Sequence, residues 1–251
     1  QGGVPVFVDV DPATLLMDPG KVASAVTPRT RAILGVDYGG QPADYVALGE
    51  IARESGTALI ADACQSLGAS DRGRRVGSLA DLNIFSLHPV KAVTSGEGGI
   101  VATDDPEFAV RIRTFRNNGI SSDHLDRQSR GTWRYEMIDL GFNYRLSDIH
   151  CDLGISQIRK LEGWVARRRA IASVYDAAVT RIPGVEPLGV RDHVSPAYHL
   201  YVVRLKREIL HVSRSEVFRA LRAEGIGVNV HYLPVHLHPY YRKRFGTGPG
   251  L

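Results

Sequence analysis

Short runs of almost unbroken apolar residues, separated by segments with helical periodicity, limit what this chain can fold into. Ala32 to Val36, Ala58 to Asp62, Leu82 to Ser86 and Gly99 to Thr103 each read as a strand buried on both faces, and Pro5 to Asp9 reads as a strand ahead of them. Helical patterns fill the gaps. Asp18-Pro19 pairs an N-cap with proline at the first helical position. Tyr45, Leu48, Ile51 and Ala52 share one helical face, and Gly56 stands where a C-terminal cap belongs. Such alternation predicts an α/β fold: a mainly parallel sheet with helices on both faces and active residues at its carboxyl edge. Asp62 and Ser86 fall at two such strand ends.

From Phe108 the pattern turns helical, with Phe108, Ile112 and Phe115 on one face. Gly119 to Trp133 is polar and reads as a long loop. Ser147 caps a helix running through Ile149, Leu153 and Leu161, and a further helix covers about Trp164 to Ile182. Pro183-Gly184 ends it and sets the expected domain boundary: residues 1–183 form a large domain with connecting helices, residues 184–251 a smaller α+β domain. The smaller part reads as a strand (Tyr198 to Leu205), a helix opened by a capping box (Ser213 and Glu216) and a strand (Gly227 to His231).

The 251 residues are 43% hydrophobic and 23% charged, the balance of an ordinary soluble globular protein. The net charge of +4 comes from scattered basic residues. Arg167-Arg168-Arg169 fans around a helix axis, which suits a solvated face and not a nucleic-acid stripe. Cys64 and Cys151 are too few for a disulfide framework or a cysteine metal site and fit a reducing, cytoplasmic compartment. No apolar run approaches a membrane span, so no membrane partner is expected. The chain starts at Gln1 and ends in the loop-like Gly246-Thr247-Gly248-Pro249-Gly250-Leu251, which reads as a fragment open at both ends.

Phe85-Ser86-Leu87-His88-Pro89-Val90-Lys91, followed by Gly96-Glu97-Gly98-Gly99, puts one lysine in a tight turn just after a buried strand. A loop lysine alone is usually solvated, and an aspartate ending a strand is as often a helix cap. Lys91 and Asp62 on adjacent strand ends suit a pyridoxal phosphate (PLP) site. The amine holds the aldehyde as a Schiff base, while the carboxylate keeps the ring nitrogen protonated and the ring electron-poor. Ser86 is placed to bind the phosphate, and Gln65 to reach the ring hydroxyl. No GxGxxG or GxxxxGK[ST] occurs. His231, His236 and His238 lie among Tyr232, Pro234, Pro239, Tyr240 and Tyr241 without a zinc-ligand pattern; they read as a substrate-contacting loop or simple packing, and no metal is expected. Asn143-Tyr144-Arg145 is either a structural turn or an anion-binding element.

Together with Gly40-Gln41-Pro42-Ala43-Asp44, Asp62-Ala63-Cys64-Gln65-Ser66-Leu67-Gly68 and Gly141-Phe142-Asn143-Tyr144-Arg145-Leu146-Ser147-Asp148, these motifs resemble the DegT/DnrJ/EryC1/StrS aminotransferases across essentially the whole chain. The resemblance implies an aspartate-aminotransferase-like fold (PLP fold type I) and PLP as cofactor. It implies Lys91 as the Schiff-base lysine, Asp62 on the ring nitrogen, Gln65 on the hydroxyl side and Ser86 on the phosphate. Asn143 would reach the phosphate of the partner subunit, in a homodimer with shared active sites. His88-Pro89-Val90, Trp133-Arg134-Tyr135-Glu136-Met137 and His231 to His236 look most like the branch acting in pseudaminic acid synthesis. That branch implies glutamate as donor, C-4 of a UDP-linked 4-keto-6-deoxy-N-acetylhexosamine as acceptor, and His231, Tyr232 and His236 near the sugar. Amination of another nucleotide keto-sugar (3-keto or dTDP-linked), or a PLP-binding regulatory role without turnover, are the alternatives. The family places a Gly-Thr-type phosphate loop and a ring-stacking aromatic ahead of the point where this chain begins.

Overall fold

The computed structural model describes residues 2–250. The first part of the chain forms helix α1 (Pro19–Ala25), strand β1 (Ala32–Val36), helix α2 (Tyr45–Ser55) and strands β2 (Ala58–Asp62), β3 (Ser70–Asp71), β4 (Arg74–Arg75), β5 (Leu82–Ser86) and β6 (Gly99–Ala102). Helices α3 (Pro106–Arg116), α4 (His124–Ser129), α5 (Asp148–Ile158) and α6 (Leu161–Val179) follow. The last part holds β7 (Val185–Pro187), β8 (Val194–Ser195), β9 (Val203–Leu205), α7 (Arg207–Leu210), α8 (Arg214–Ala223) and α9 (Pro239–Phe245).

The main sheet has the order β1-β2-β5-β6; β1, β2 and β5 are parallel, and β6 returns antiparallel to β5. Ile33, Gly35, Leu59, Ala61, Asn83 and Phe85 share the fully buried face. Asp62 and Ser86 point to the opposite face, where Leu34 and Val36 remain exposed. Period-2 alternation therefore decides which strand-end residues reach the open side. Val22, Tyr45, Leu48 and Ala52 from the first two helices pack on Ile33, Leu59 and Ala61. Leu161 and Val165 of α6 close a second cluster with Phe85, Leu87 and Val93.

Local signals behave as their chemistry requires. Asp18 accepts from Gly20 N–H at 2.8 Å to cap α1, and Gly56 ends α2 in the left-handed conformation (φ 64°). Both halves of the Ser213/Glu216 capping box form at α8.

Other expectations change. Pro5 to Asp9 is not a strand: its backbone has no ladder partner, and it is held instead by Phe7 against His236 and Tyr241 (ring centroids 5.7 and 6.0 Å). Among the described residues Gly227 to His231 likewise joins no β-ladder, and Tyr198 to Leu205 narrows to the short strand β9. An extended pattern becomes a strand only where a neighbour takes its hydrogen bonds. The segment Gly119 to Trp133 contains α4, nucleated by a capping box between Asp123 and Asp126. The helix from Ser147 stops at Ile158, and α6 starts afresh at Leu161. Ser147 Oγ makes a 2.6 Å hydrogen bond with His150 Nδ1 and does not cap the backbone.

Candidate active site

Asp62 ends β2 and Ser86 ends the neighbouring strand β5, with Asp62 in register with Ile84. Lys91 lies in the loop that leaves β5. That loop closes on itself: Lys91 N–H donates to His88 O (2.9 Å), Leu87 N–H to Gly98 O (2.9 Å) and Ser95 N–H to Leu87 O (3.0 Å). The Ser86 hydroxyl accepts from His88 N–H at 3.3 Å. Gly98 has φ 142°, and a Cβ there would stand 2.9 Å from Leu146 Cδ1, so the glycine lets the loop lie against the start of α5.

The turn after β2 presents Asp62, Cys64 and Gln65 together. Asp62 Oδ1 accepts from Cys64 N–H at 3.1 Å. Burial first, and then the Asp62 carboxylate, push the Cys64 thiol up to about 12, while the Lys91 charge opposes them. Cys64 is thus a neutral, inert neighbour of both Asp62 and Lys91. Gln65 Oε1 accepts from Gly39 N–H at 2.8 Å, which leaves its amide –NH₂ as a donor toward an anionic oxygen.

A glycine turn brings a third chain segment over the same edge. Gly39 and Gly40 have φ 70° and 104°; a Cβ on Gly40 would lie 2.7 Å from the backbone nitrogens of both Tyr198 and His199. Ala197 N–H donates to Gly40 O (2.8 Å) and Leu200 N–H to Gly39 O (3.2 Å). Arg168 of α6 donates to the carbonyls of Tyr198 (3.1 Å) and His199 (3.3 Å). Burial, followed by the charges of Lys91, Arg168 and His231, presses the His199 imidazole down to about 4, so it is neutral near pH 7. Its Nδ1 is buried without a hydrogen-bond partner.

Of the residues selected from sequence, Asp62, Gln65, Ser86 and Lys91 cluster at this sheet edge. His231 joins them through its backbone, whose carbonyl accepts from the Tyr38 hydroxyl at 2.7 Å. Tyr232 is exposed and lies against the His231 ring (centroids 4.2 Å). His236 is occupied differently, packed on Phe7. Asn143 is exposed, in a β-bridge with Asn117, and among the described residues shares no hydrogen bond with the sheet-edge group. Sequence reasoning read Arg167-Arg168-Arg169 as a solvated face, whereas half-buried Arg168 and Arg169 spend their guanidinium donors on backbone carbonyls. It passed over His199. Nothing in the spacing of Tyr198-His199-Leu200 marks it; only the close approach to Gly40 reveals it.

The donor set is chemically complementary to PLP: an amine, a carboxylate, a hydroxyl, a free amide –NH₂ and an imidazole nitrogen without a partner. A cleft of about 360 Å³ lies beside it, with Tyr38, Tyr198, Tyr201 and Asp176 in its wall, but neither Lys91 nor Asp62 lines it.

The chain is similar in sequence and fold to known proteins. The model of the DegT/DnrJ/EryC1/StrS aminotransferase family matches residues 1–250. The spore coat polysaccharide biosynthesis protein SpsC of Bacillus subtilis is 39% identical over 98% of the chain, which spans 64% of that protein. Helicobacter pylori PseC, an aminotransferase involved in the biosynthesis of pseudoaminic acid, superposes with a TM-score of 0.90 at 27% identity, covering 99% of this chain and 64% of that one. S. venezuelae DesV, solved in complex with a ketimine intermediate, gives 0.86 at 35% identity, covering 98% and 62%. The chain therefore spans somewhat under two thirds of the length of these proteins.

Proposed function

Because the chain belongs to the DegT/DnrJ/EryC1/StrS aminotransferase family, whose cofactor is PLP, we propose that it acts as a nucleotide-sugar aminotransferase. In this reading it moves an amino group from glutamate to C-4 of a UDP-linked 4-keto-6-deoxy-N-acetylhexosamine. The observation that carries the proposal is the placement of Asp62 at the carboxyl end of β2 and of Lys91 in the loop that leaves the adjacent parallel strand β5, with the charge of Lys91 acting on neutral His199.

Bound there, PLP supplies an aldehyde for amine exchange and a protonated ring that takes up electrons as a C–H proton leaves. Lys91 Nζ holds that aldehyde at rest. Lys91 Nζ would also carry the proton from and back to carbon, as base and then as acid. Asp62 would hold the proton on the ring nitrogen, the Gln65 amide would donate to the ring oxygen, and Ser86 would take the phosphate. His199, uncharged near pH 7, adds no positive charge that would compete with Lys91. His231 and Tyr232 face the acceptor sugar, and His236 supports their loop. The similarity to PseC, an aminotransferase involved in the biosynthesis of pseudoaminic acid, supports this reading; amination of another nucleotide keto-sugar, 3-keto or dTDP-linked, is the second reading. A PLP-binding regulatory protein without turnover is the remaining alternative.

A homodimer with Asn143 reaching the partner's phosphate completes the proposal, supported by the exposure of that residue. We place the boundary between the two units at Pro183-Gly184 and the protein in the cytoplasm, where the free thiols Cys64 and Cys151 persist. Among the described residues no helix is long and apolar enough to cross a membrane.

Borohydride reduction of the PLP-loaded protein followed by peptide mapping tests the central assignment. The label is expected on Lys91 and absent from Lys91→Ala; covalent trapping at another lysine would overturn it. Conversion of bound PLP to the pyridoxamine form on adding glutamate separates an enzyme from a regulatory binder.

A further inference from the structure

Behind the proposed site lies a carboxyl group with no part in the chemistry so far described. Asp37, the residue after β1, is fully buried. Its carboxylate accepts from Ala43 N–H (3.0 Å), from the Tyr45 hydroxyl of α2 (2.6 Å) and from the Ser66 hydroxyl. Its own N–H donates to the backbone carbonyl of Asp62 at 3.0 Å. One residue thus ties the turn that presents Gly39 to the turn that presents Asp62 and Gln65.

The two hydroxyls each have a second acceptor. Ser66 Oγ is 3.3 Å from Ala63 O, and the Tyr45 hydroxyl is 3.3 Å from Gly35 O. When Asp37 is ionised, both hydroxyls donate to it. When it is protonated, one hydroxyl turns to its backbone carbonyl and accepts the carboxyl proton. The network is satisfied in both states, so the group can change charge without breaking the turns.

We propose that Asp37 is a positioning residue of this site, a buried carboxyl that fixes the turn carrying Asp62 and Gln65 and sets the charge behind Asp62 by holding or releasing one proton. The titratable neighbours facing it are Tyr45 from α2 and Asp62 and Cys64 from the turn after β2; Arg191 acts on Tyr45 from outside the network. Burial raises the Asp37 carboxyl to about 6, the hydroxyls and the Ala43 N–H oppose this, and the Asp62 charge adds to it. Above that pH a second negative charge stands behind Asp62 and strengthens its hold on a protonated ring. Below it, Asp62 acts alone.

The consequence for PLP rests on the function proposed above; the titration of Asp37 does not. The test compares wild type with Asp37→Asn and Ser66→Ala, measuring PLP dissociation constants between about pH 5 and pH 8 and urea unfolding of the cofactor-free protein over the same range. The Asn amide oxygen keeps the bonds from Ala43 N–H and the Tyr45 hydroxyl, its –NH₂ donates to Ser66 Oγ, which turns to Ala63 O, and the charge is lost. Wild-type affinity is expected to strengthen on the order of tenfold as pH rises through about 6. That component should vanish in Asp37→Asn and move to higher pH in Ser66→Ala, which removes a donor to the ionised form. In the cofactor-free protein the native state binds the Asp37 proton more tightly than the unfolded chain does. The wild type should therefore lose stability as pH rises from about 3.8 to about 6, relative to Asp37→Asn. An Asn variant with the wild-type unfolding profile, or one binding PLP as tightly as wild type at pH 7.5, would overturn the proposal. If wild type binds no PLP, the functional reading falls, and the unfolding profiles still decide the role of Asp37.

Discussion

Two regions carry proposed cofactor contacts, and they are built in opposite ways. At the sheet edge, the turn bearing Asp62 and Gln65 is locked from behind by side chains: buried Asp37 ties it to the glycine turn at Gly39, and Gln65 itself bonds Gly39 N–H. The region bearing Asn143 is locked through its backbone. Asn117 bridges Asn143 and Ile120 bridges Met137, and a Cβ on Gly119 would stand 1.7 Å from Asp139 O. Its side chains face outward: Trp133 is 86% exposed and Tyr144 65%, with Tyr144 stacked on Phe142. A site that must hold reacting atoms needs fixed side chains. A surface that meets another body needs a fixed backbone and free side chains, and exposed apolar groups suit that task.

Four substitutions would break or sharpen this contrast. Asp62→Ala should have the largest effect, cutting the transamination rate about 10²- to 10³-fold, as when one preorganised charge is removed; near-normal turnover would reduce Asp62 to a structural cap. Gly40→Ala should destabilise the fold by about 2–4 kcal/mol in urea unfolding, because the new Cβ meets backbone on both Tyr198 and His199 at an unfavourable φ. A mild result would mean that the 197–200 segment is not held over the sheet edge. His199→Gln should alter the pH profile of unfolding. Neutral His199 is depressed below its unfolded value, so its stabilisation is complete above about 6.5 and is lost as pH falls toward about 4. The variant should lack that acid-side loss, and a retained slope would assign it elsewhere. Asn143→Ala should leave stability within about 0.5 kcal/mol, yet lower activity. Mixing Asn143→Ala with Lys91→Ala subunits should restore part of the activity, and no recovery after proven subunit exchange would count against a shared site.

The sequence exposed the parts of the site that local pattern controls. Apolar runs ending in Asp62 and Ser86 located the sheet's carboxyl edge, and the motif after Ser86 located Lys91. It did not show direction: Gly99 to Ala102 reads the same whether parallel or antiparallel, and only its pairing with β5 decides. It did not show Asp37 or His199. An aspartate following a strand resembles any turn residue, and its burial depends on Ser66, 29 positions on. His199 depends on a glycine contact formed across more than 150 positions, which no local periodicity encodes. Pro5 to Asp9 shows the converse, an extended pattern that among the described residues finds no strand to pair with.

Helix α6 connects these observations mechanically. Arg168 grips the carbonyls of Tyr198 and His199, while Arg169 grips Gly68 (3.2 Å), Ser195 (3.2 Å) and Pro196 (2.8 Å). The helix has 19 residues and is about 28 Å long, a stiff rod bolted at one point to the turn region after Asp62 and to the strand of chain that bears His199. Two chain segments far apart in sequence thus share one rigid anchor, so a substitution that weakens the helix would loosen both together.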